Sequence, residues 1–136
     1  MEPENEAQTI LIVDDEADVV KPIIFRLEMQ GFDVLMEADG ETGFQTALAE
    51  MPDLILLDIM MPGIDGLTLR QILKERPDTA HIPIIMLTAK TTMGDVEKTF
   101  VVKANDYVAK PFEWQELVGK IQRCLAYEDA VQPETP

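Results

Sequence analysis

Five short apolar runs, at residues 10–13, 32–36, 54–57, 84–87 and 107–109, alternate with stretches whose apolar residues recur at helical spacing. Val20, Ile23, Ile24 and Leu27 keep the i, i+3, i+4, i+7 pattern of one helix face, and Phe44, Ala47, Leu48 and Met51 repeat it. Leu69, Ile72, Leu73 and Arg76 follow it more weakly, Met93, Val96 and Phe100 roughly, and Leu117, Val118, Ile121 and Leu125 clearly. A helix between two strands carries the chain back across the sheet, so successive strands lie parallel and each crossover is right-handed. The pattern predicts five βα units.

Apolar continuity then orders the strands. The first, third and fourth runs are apolar throughout, as strands covered on both faces must be; Phe32, Asp33 and Val34 alternate, and the fifth run is short and mixed. The second and fifth strands are therefore edges. The expected fold is α/β, a flavodoxin-like doubly wound sheet of five parallel strands in the order 2-1-3-4-5 with five helices, opening a crevice over strands one and three. Gly31, Gly40, Pro52, Pro83 and the pair Pro62 and Gly63 fall at the breaks between elements.

With 136 residues, 46% of them hydrophobic, the chain can bury one core but not two. Residues 9–126 are expected to form the domain, with 1–8 and 127–136 as acidic, proline-bearing tails, the second a candidate linker. Twenty-six acidic residues against eleven basic give a net charge of −15, which argues against direct nucleic-acid binding. The single cysteine, Cys124, cannot form an internal disulfide, and no leader or long apolar stretch is present; a cytoplasmic protein with no membrane contact is expected.

Directly after the apolar runs stand Asp14 and Asp15, Asp58, Thr88, and Lys110. If the runs are parallel strands, three carboxylates, a hydroxyl and an ammonium converge at one sheet edge. Like charges this close repel by roughly 4 kcal/mol per pair at 4 Å under an effective dielectric near 20, which a cation relieves. Oxygen donors without histidine or cysteine favour Mg²⁺ over zinc. Asp58, at the end of the middle strand, is the candidate nucleophile, because carboxylates form aspartyl phosphates. The metal and Lys110 would neutralise developing charge, while Thr88 and backbone N–H groups would hold phosphoryl oxygens.

Each residue alone has a plainer reading. Asp14 and Asp15 could cap a helix, Thr88 could close a turn, and Lys110 could be solvated. Asp65 reads as the cap of the third helix, Met60 and Met61 as loop and core filler, and His81 as a solvated loop residue. Cys124 reads as a small buried residue and Trp114 as packing.

In order along the chain stand Val13, Asp14, Asp15 and Glu16; then Leu57, Asp58, Ile59, Met60, Met61, Pro62, Gly63, Ile64, Asp65 and Gly66; then Leu87, Thr88, Ala89 and Lys90; then Asp106, Tyr107, Val108, Ala109, Lys110, Pro111 and Phe112. In these the chain resembles the receiver domain of bacterial two-component response regulators over nearly its whole length. The resemblance implies that Asp58 takes a phosphoryl group from a histidine kinase or histidine phosphotransfer protein. It implies that Asp15, Asp58 and the Met60 carbonyl ligate Mg²⁺ directly, with Asp14 acting mostly through water. Thr88, Lys110 and the N–H groups of Met60 and Ala89 would meet the phosphoryl oxygens, and Tyr107 would be the switch aromatic. The face of the fourth helix, fifth strand and fifth helix would change for a downstream protein or a fused output domain, and a phosphorylation-dependent dimer is left open. Such a domain catalyses its own phosphorylation and dephosphorylation without turning over a separate substrate, and the peptide from Lys110 to Pro111 would be cis.

Two residues depart from the family pattern. Lys103 stands where glycine is usual, and Pro22 falls inside the first helix, where it removes a hydrogen bond and is expected to kink it. Rival readings of the same architecture fit less well. A flavin binder would need a phosphate-binding loop where Asp14 and Asp15 stand, and a haloacid-dehalogenase-like hydrolase would need a carboxylate where Met60 stands.

Overall fold

Side chains along a strand point alternately to opposite faces, and among the described residues each face packs against two helices. The computed structural model describes residues 7–61, 63–89, 107–110 and 113–131. Its elements run β1 (Thr9–Val13), α1 (Ala17–Met29), β2 (Asp33–Glu37), α2 (Gly40–Glu50), β3 (Leu54–Asp58), α3 (Gly66–Glu75), β4 (Ile84–Ala89), β5 (Tyr107–Lys110) and a C-terminal helix (Trp114–Val131). Leu11, Val13, Ile55, Leu57 and Met86 pack with Ala47 of α2 and Leu69 and Leu73 of α3. On the other face Ile10, Ile12, Leu54, Leu56, Ile85 and Leu87 pack with Val20, Ile23 and Leu27 of α1 and Leu117, Ile121 and Leu125 of the C-terminal helix. Each such side chain, fully buried, is worth about 1.5–3 kcal/mol of transfer free energy.

The sheet is parallel with the order β2-β1-β3-β4-β5, the doubly wound arrangement expected from apolar continuity. Every residue of β3 is buried, whereas Asp33 at the start of β2 is exposed, which matches a central and an edge strand. Val13 pairs with Leu57, Asp58 with Leu87, and Ala89 with Lys110. The residues after the apolar runs therefore sit at neighbouring levels of one sheet edge.

Local chemistry sets the helix ends. Asp65 caps α3 by accepting the Thr68 N–H at 2.8 Å, as its place in the sequence predicts. Asp39 does the same for α2, accepting the Thr42 N–H at 2.9 Å. Chain reversal after α1 uses Gly31 at φ 99°, a conformation that costs glycine little. Pro22 lies within α1, which continues unbroken to Met29. Its ring faces outward, and the carbonyl deprived of a partner belongs to exposed Asp18, so water can satisfy it.

Among the described residues no helix is long and apolar enough to cross a membrane. The fourth helix expected around Met93, Val96 and Phe100, the effect of Lys103 and the Lys110–Pro111 peptide lie outside the described residues.

Candidate functional site

Asp14 follows the last residue of β1, and its N–H continues the ladder to the Glu37 carbonyl at 3.0 Å. Its side chain is fully buried. One carboxylate oxygen, Oδ1, accepts the Glu16 N–H at 2.8 Å and so folds the β1–α1 loop back over the strand end. The bland expectation of a helix cap at Asp14 or Asp15 does not hold, because the residue in the capping position is Glu16 and its side chain makes no capping bond.

Asp58 ends β3 beside Asp14 and is 5% exposed. The Met60 N–H points back at its Oδ1 from 3.3 Å, which puts a backbone donor where the phosphoryl-binding role was expected. The loop that follows is pulled tight by a hydrogen bond from the Gly66 N–H to the Ile59 carbonyl at 2.9 Å. A Cβ at position 66 would run into the Asp58 carbonyl oxygen and come within 2.8 Å of the Ile59 Cα, so only glycine fits under this strand end.

Lys110 reaches across from the end of β5. Its Nζ lies 2.7 Å from Glu16 Oε1, 2.9 Å from Asp14 Oδ2 and 3.6 Å from Asp58 Oδ1. Thr88, fully buried on β4, sits one residue beyond the partner of Asp58, and Ala89 pairs with Lys110. Tyr107 opens β5, buried in the α2–α3 side of the core, with its carbonyl accepting the Lys120 ammonium at 3.2 Å. Met61 is core, Met60 is exposed in the loop, and His81 is exposed. Cys124 and Trp114 are half-buried, with the Arg26 guanidinium 5.4 Å from the indole centroid.

The charges explain the electrostatics. Burial raises the Asp58 pKa from 3.8 to about 6, with the negative charges of Asp14 and Asp15 adding to it and Lys110 and the Met60 N–H opposing. Burial alone would lower the Lys110 pKa, but hydrogen bonds to Glu16 and Asp14 and the charges of Asp14 and Asp58 outweigh it and hold the group above its ordinary value.

Carboxylate oxygens of Asp14, Glu16 and Asp58 all lie within 4.8 Å of one another. Glu16 is the member of this group that sequence reasoning missed. The only signal was its place directly after the aspartate pair, and an acidic residue at a helix start is commonplace. Asp15, expected as a direct ligand, is exposed and outside the cluster, though close enough for its charge to act on Asp58.

The donor set fits a divalent cation. Its members are hard oxygens, three carboxylates against one ammonium leave two negative charges, and the buried Asp14 Oδ2 has Lys110, 2.9 Å away, as its one partner among the described residues.

Comparison with known proteins agrees with this geometry. The model of the response regulator receiver domain matches residues 10–122. The DNA-binding dual master transcriptional regulator RpaA of Synechocystis sp. is 38% identical over 122 residues, 90% of this chain and 51% of RpaA. A crystal structure of a putative response regulator from Chloroflexus aurantiacus is 40% identical, with a TM-score of 0.81 over 88% of this chain and 98% of that one. The receiver domain of sensor histidine kinase PA1611 from Pseudomonas aeruginosa, with a magnesium ion coordinated in its active-site cleft, is 33% identical, with a TM-score of 0.79 over 88% of this chain and 98% of that one.

The chain thus spans about half the length of the curated relatives it matches. The expectation of no nucleic-acid partner is corrected by these relatives, which include DNA-binding transcriptional regulators. The charge of −15 belongs to these 136 residues alone and sets no limit on a longer protein.

Proposed function

Because the chain belongs to the response regulator receiver domain family, we propose that it is the phosphoacceptor switch of a two-component pathway, with Asp58 as the acceptor. One observation carries this reading: Asp14, Asp58 and Lys110, far apart in sequence, meet at one sheet edge around a nearly buried carboxylate. An Asp58 carboxylate oxygen forms the new P–O bond as the N–P bond of a donor phosphohistidine breaks and the imidazole leaves. Lys110, Thr88 and the N–H groups of Met60 and Ala89 hold the phosphoryl oxygens. Asp14, Asp15, Asp58 and the Met60 carbonyl are the candidate holders of Mg²⁺, which supplies charge compensation during transfer. Residues 9–126 are the unit proposed to do this, in the cytoplasm, with a histidine kinase or phosphotransfer protein upstream.

The test is incubation with a small acyl phosphate and, separately, with a phosphorylated histidine donor. Label is expected on the wild type only with a divalent cation and not on Asp58→Asn. Equal labelling of the variant would refute the assignment.

The switch follows from the neighbouring strands of Thr88 and Tyr107. Drawn toward the phosphoryl group, Thr88 changes the space beside the already buried Tyr107 ring and so alters the face read downstream. Full conversion from about 1:99 to 99:1 needs roughly 5.5 kcal/mol of differential stabilisation, within reach of several charge-assisted contacts to one dianion. Chemical shifts of Tyr107 and of residues 91–125 are expected to change when beryllofluoride with Mg²⁺ occupies Asp58. Full occupancy without that change would remove Tyr107 from the mechanism.

A further inference from the structure

Glu16 belongs to the acidic cluster but is given no role in the proposed transfer, yet it makes the shortest ion contact in the site, 2.7 Å to Lys110. Its backbone is fixed from both sides. The N–H is held by Asp14 Oδ1 at 2.8 Å, and the carbonyl accepts the N–H groups of Val19 and Val20 at 3.0 and 3.2 Å. The side chain, by contrast, is exposed. Of the carboxylates around this ammonium, Glu16 at 2.7 Å and Asp14 at 2.9 Å lie within hydrogen-bond distance, while Asp58 at 3.6 Å lies beyond it. To meet a phosphoryl oxygen on Asp58, Lys110 must move off one of those two.

The two are not equally easy to leave. Asp14 is fully buried and would be left uncompensated, whereas the Glu16 side chain is exposed. Glu16 alone can exchange the ammonium for water. We propose that Glu16 is a positioning residue that latches Lys110 in the resting protein and hands it to the phosphoryl group. This rests on the reading of Asp58 as acceptor and Lys110 as a phosphoryl contact. The latch holds the ammonium in place before the donor arrives, and its negative charge slows the approach of an anionic donor.

Removing the charge with Glu16→Gln is expected to raise the initial rate of labelling by a small acyl phosphate about 3- to 10-fold at low salt. The gain shrinks at high salt, because an exposed carboxylate is screened within about 10 Å at 0.1 M ionic strength. Glu16→Asp keeps the charge but is one methylene too short to keep the contact. It should release Lys110 as the Gln variant does.

The direct readout is the NMR signal of the Lys110 side-chain Cε and Nζ at fixed pH, in metal-free resting protein and in protein loaded with beryllofluoride and Mg²⁺. Both variants should shift this signal in the resting state, and in the loaded state all three proteins should coincide. An unchanged resting signal, a Glu16→Asp variant indistinguishable from wild type, or a difference that persists in the loaded state overturns the latch. Failure of the wild type to label at all overturns the reading of Asp58 and with it the hand-over, whereas the resting signal decides separately whether Glu16 holds the ammonium.

Discussion

Asp58→Asn is expected to make the metal-free protein more stable at pH 8 by roughly 2–3 kcal/mol, while it abolishes phosphoryl acceptance. The reason is the carboxyl's pKa, raised by burial and by Asp14 from 3.8 to about 6. A group that binds its proton more tightly in the folded state than in the unfolded one stabilises folding only while protonated. Below about pH 4 both states carry the proton and Asp58 costs nothing. As pH rises toward about 6 the unfolded chain ionises first and stability is lost, and above that the full penalty remains. An amide never ionises and escapes the penalty. Urea denaturation in the presence of a chelator should show the two proteins nearly equal at pH 4 and separated at pH 8. Mg²⁺ should narrow the gap, since a ligand bound only by the folded wild type stabilises it by mass action. Equal stability at pH 8 without metal would show that Asp58 bears no such strain.

The second large effect is structural. Gly66→Ala should cost about 3 kcal/mol, the upper end of the usual range for overpacking, because the new methyl collides with the Asp58 carbonyl and the neighbouring Ile59 Cα rather than with a movable side chain. Relief of the clash moves the acceptor's own backbone, so labelling should fall at least tenfold even at temperatures where the variant is folded. Gly119→Ala is the control. There the nearest atom to an added Cβ is the tip of Arg123 at 3.5 Å, and a helical alanine should gain about 0.5–1 kcal/mol. A Gly66→Ala protein as stable and as readily labelled as wild type would remove the close approach from the account of the site.

These effects also mark where sequence reading succeeds. Strands β1, β3 and β4 were legible because burial on both faces leaves unbroken apolar runs, and the strand order followed from which runs were broken. Strand limits were less legible. Ala89 and Lys110 pair with each other in the ladder, so β4 and β5 reach further than their apolar residues suggest. Strand β2 is displaced by one residue, from 32–36 to Asp33–Glu37, since its pairing is set by the register of β1.

Within the site, Asp14, Asp58 and Lys110 could be placed because each directly follows an apolar run. Glu16 could not, because its partner is 94 residues away and no local pattern announces that contact. The N-cap at Asp65 was visible from the break before α3, whereas Asp39 was hidden beside a glycine that read as the break itself.

That same 94-residue separation has a consequence for the protein's synthesis. Pairings between distant segments form late, because the entropy of closing the intervening loop comes before any contact rewards it. The ammonium belongs to the last strand and its carboxylate partners to the first loop and the middle strand. A nascent chain that has made β1, β3 and β4 already displays its acidic residues before Lys110 is in place among them. On the proposed reading of Asp58 as acceptor, the site is complete only when the sheet is finished, so a half-made or partly unfolded molecule would carry no signal.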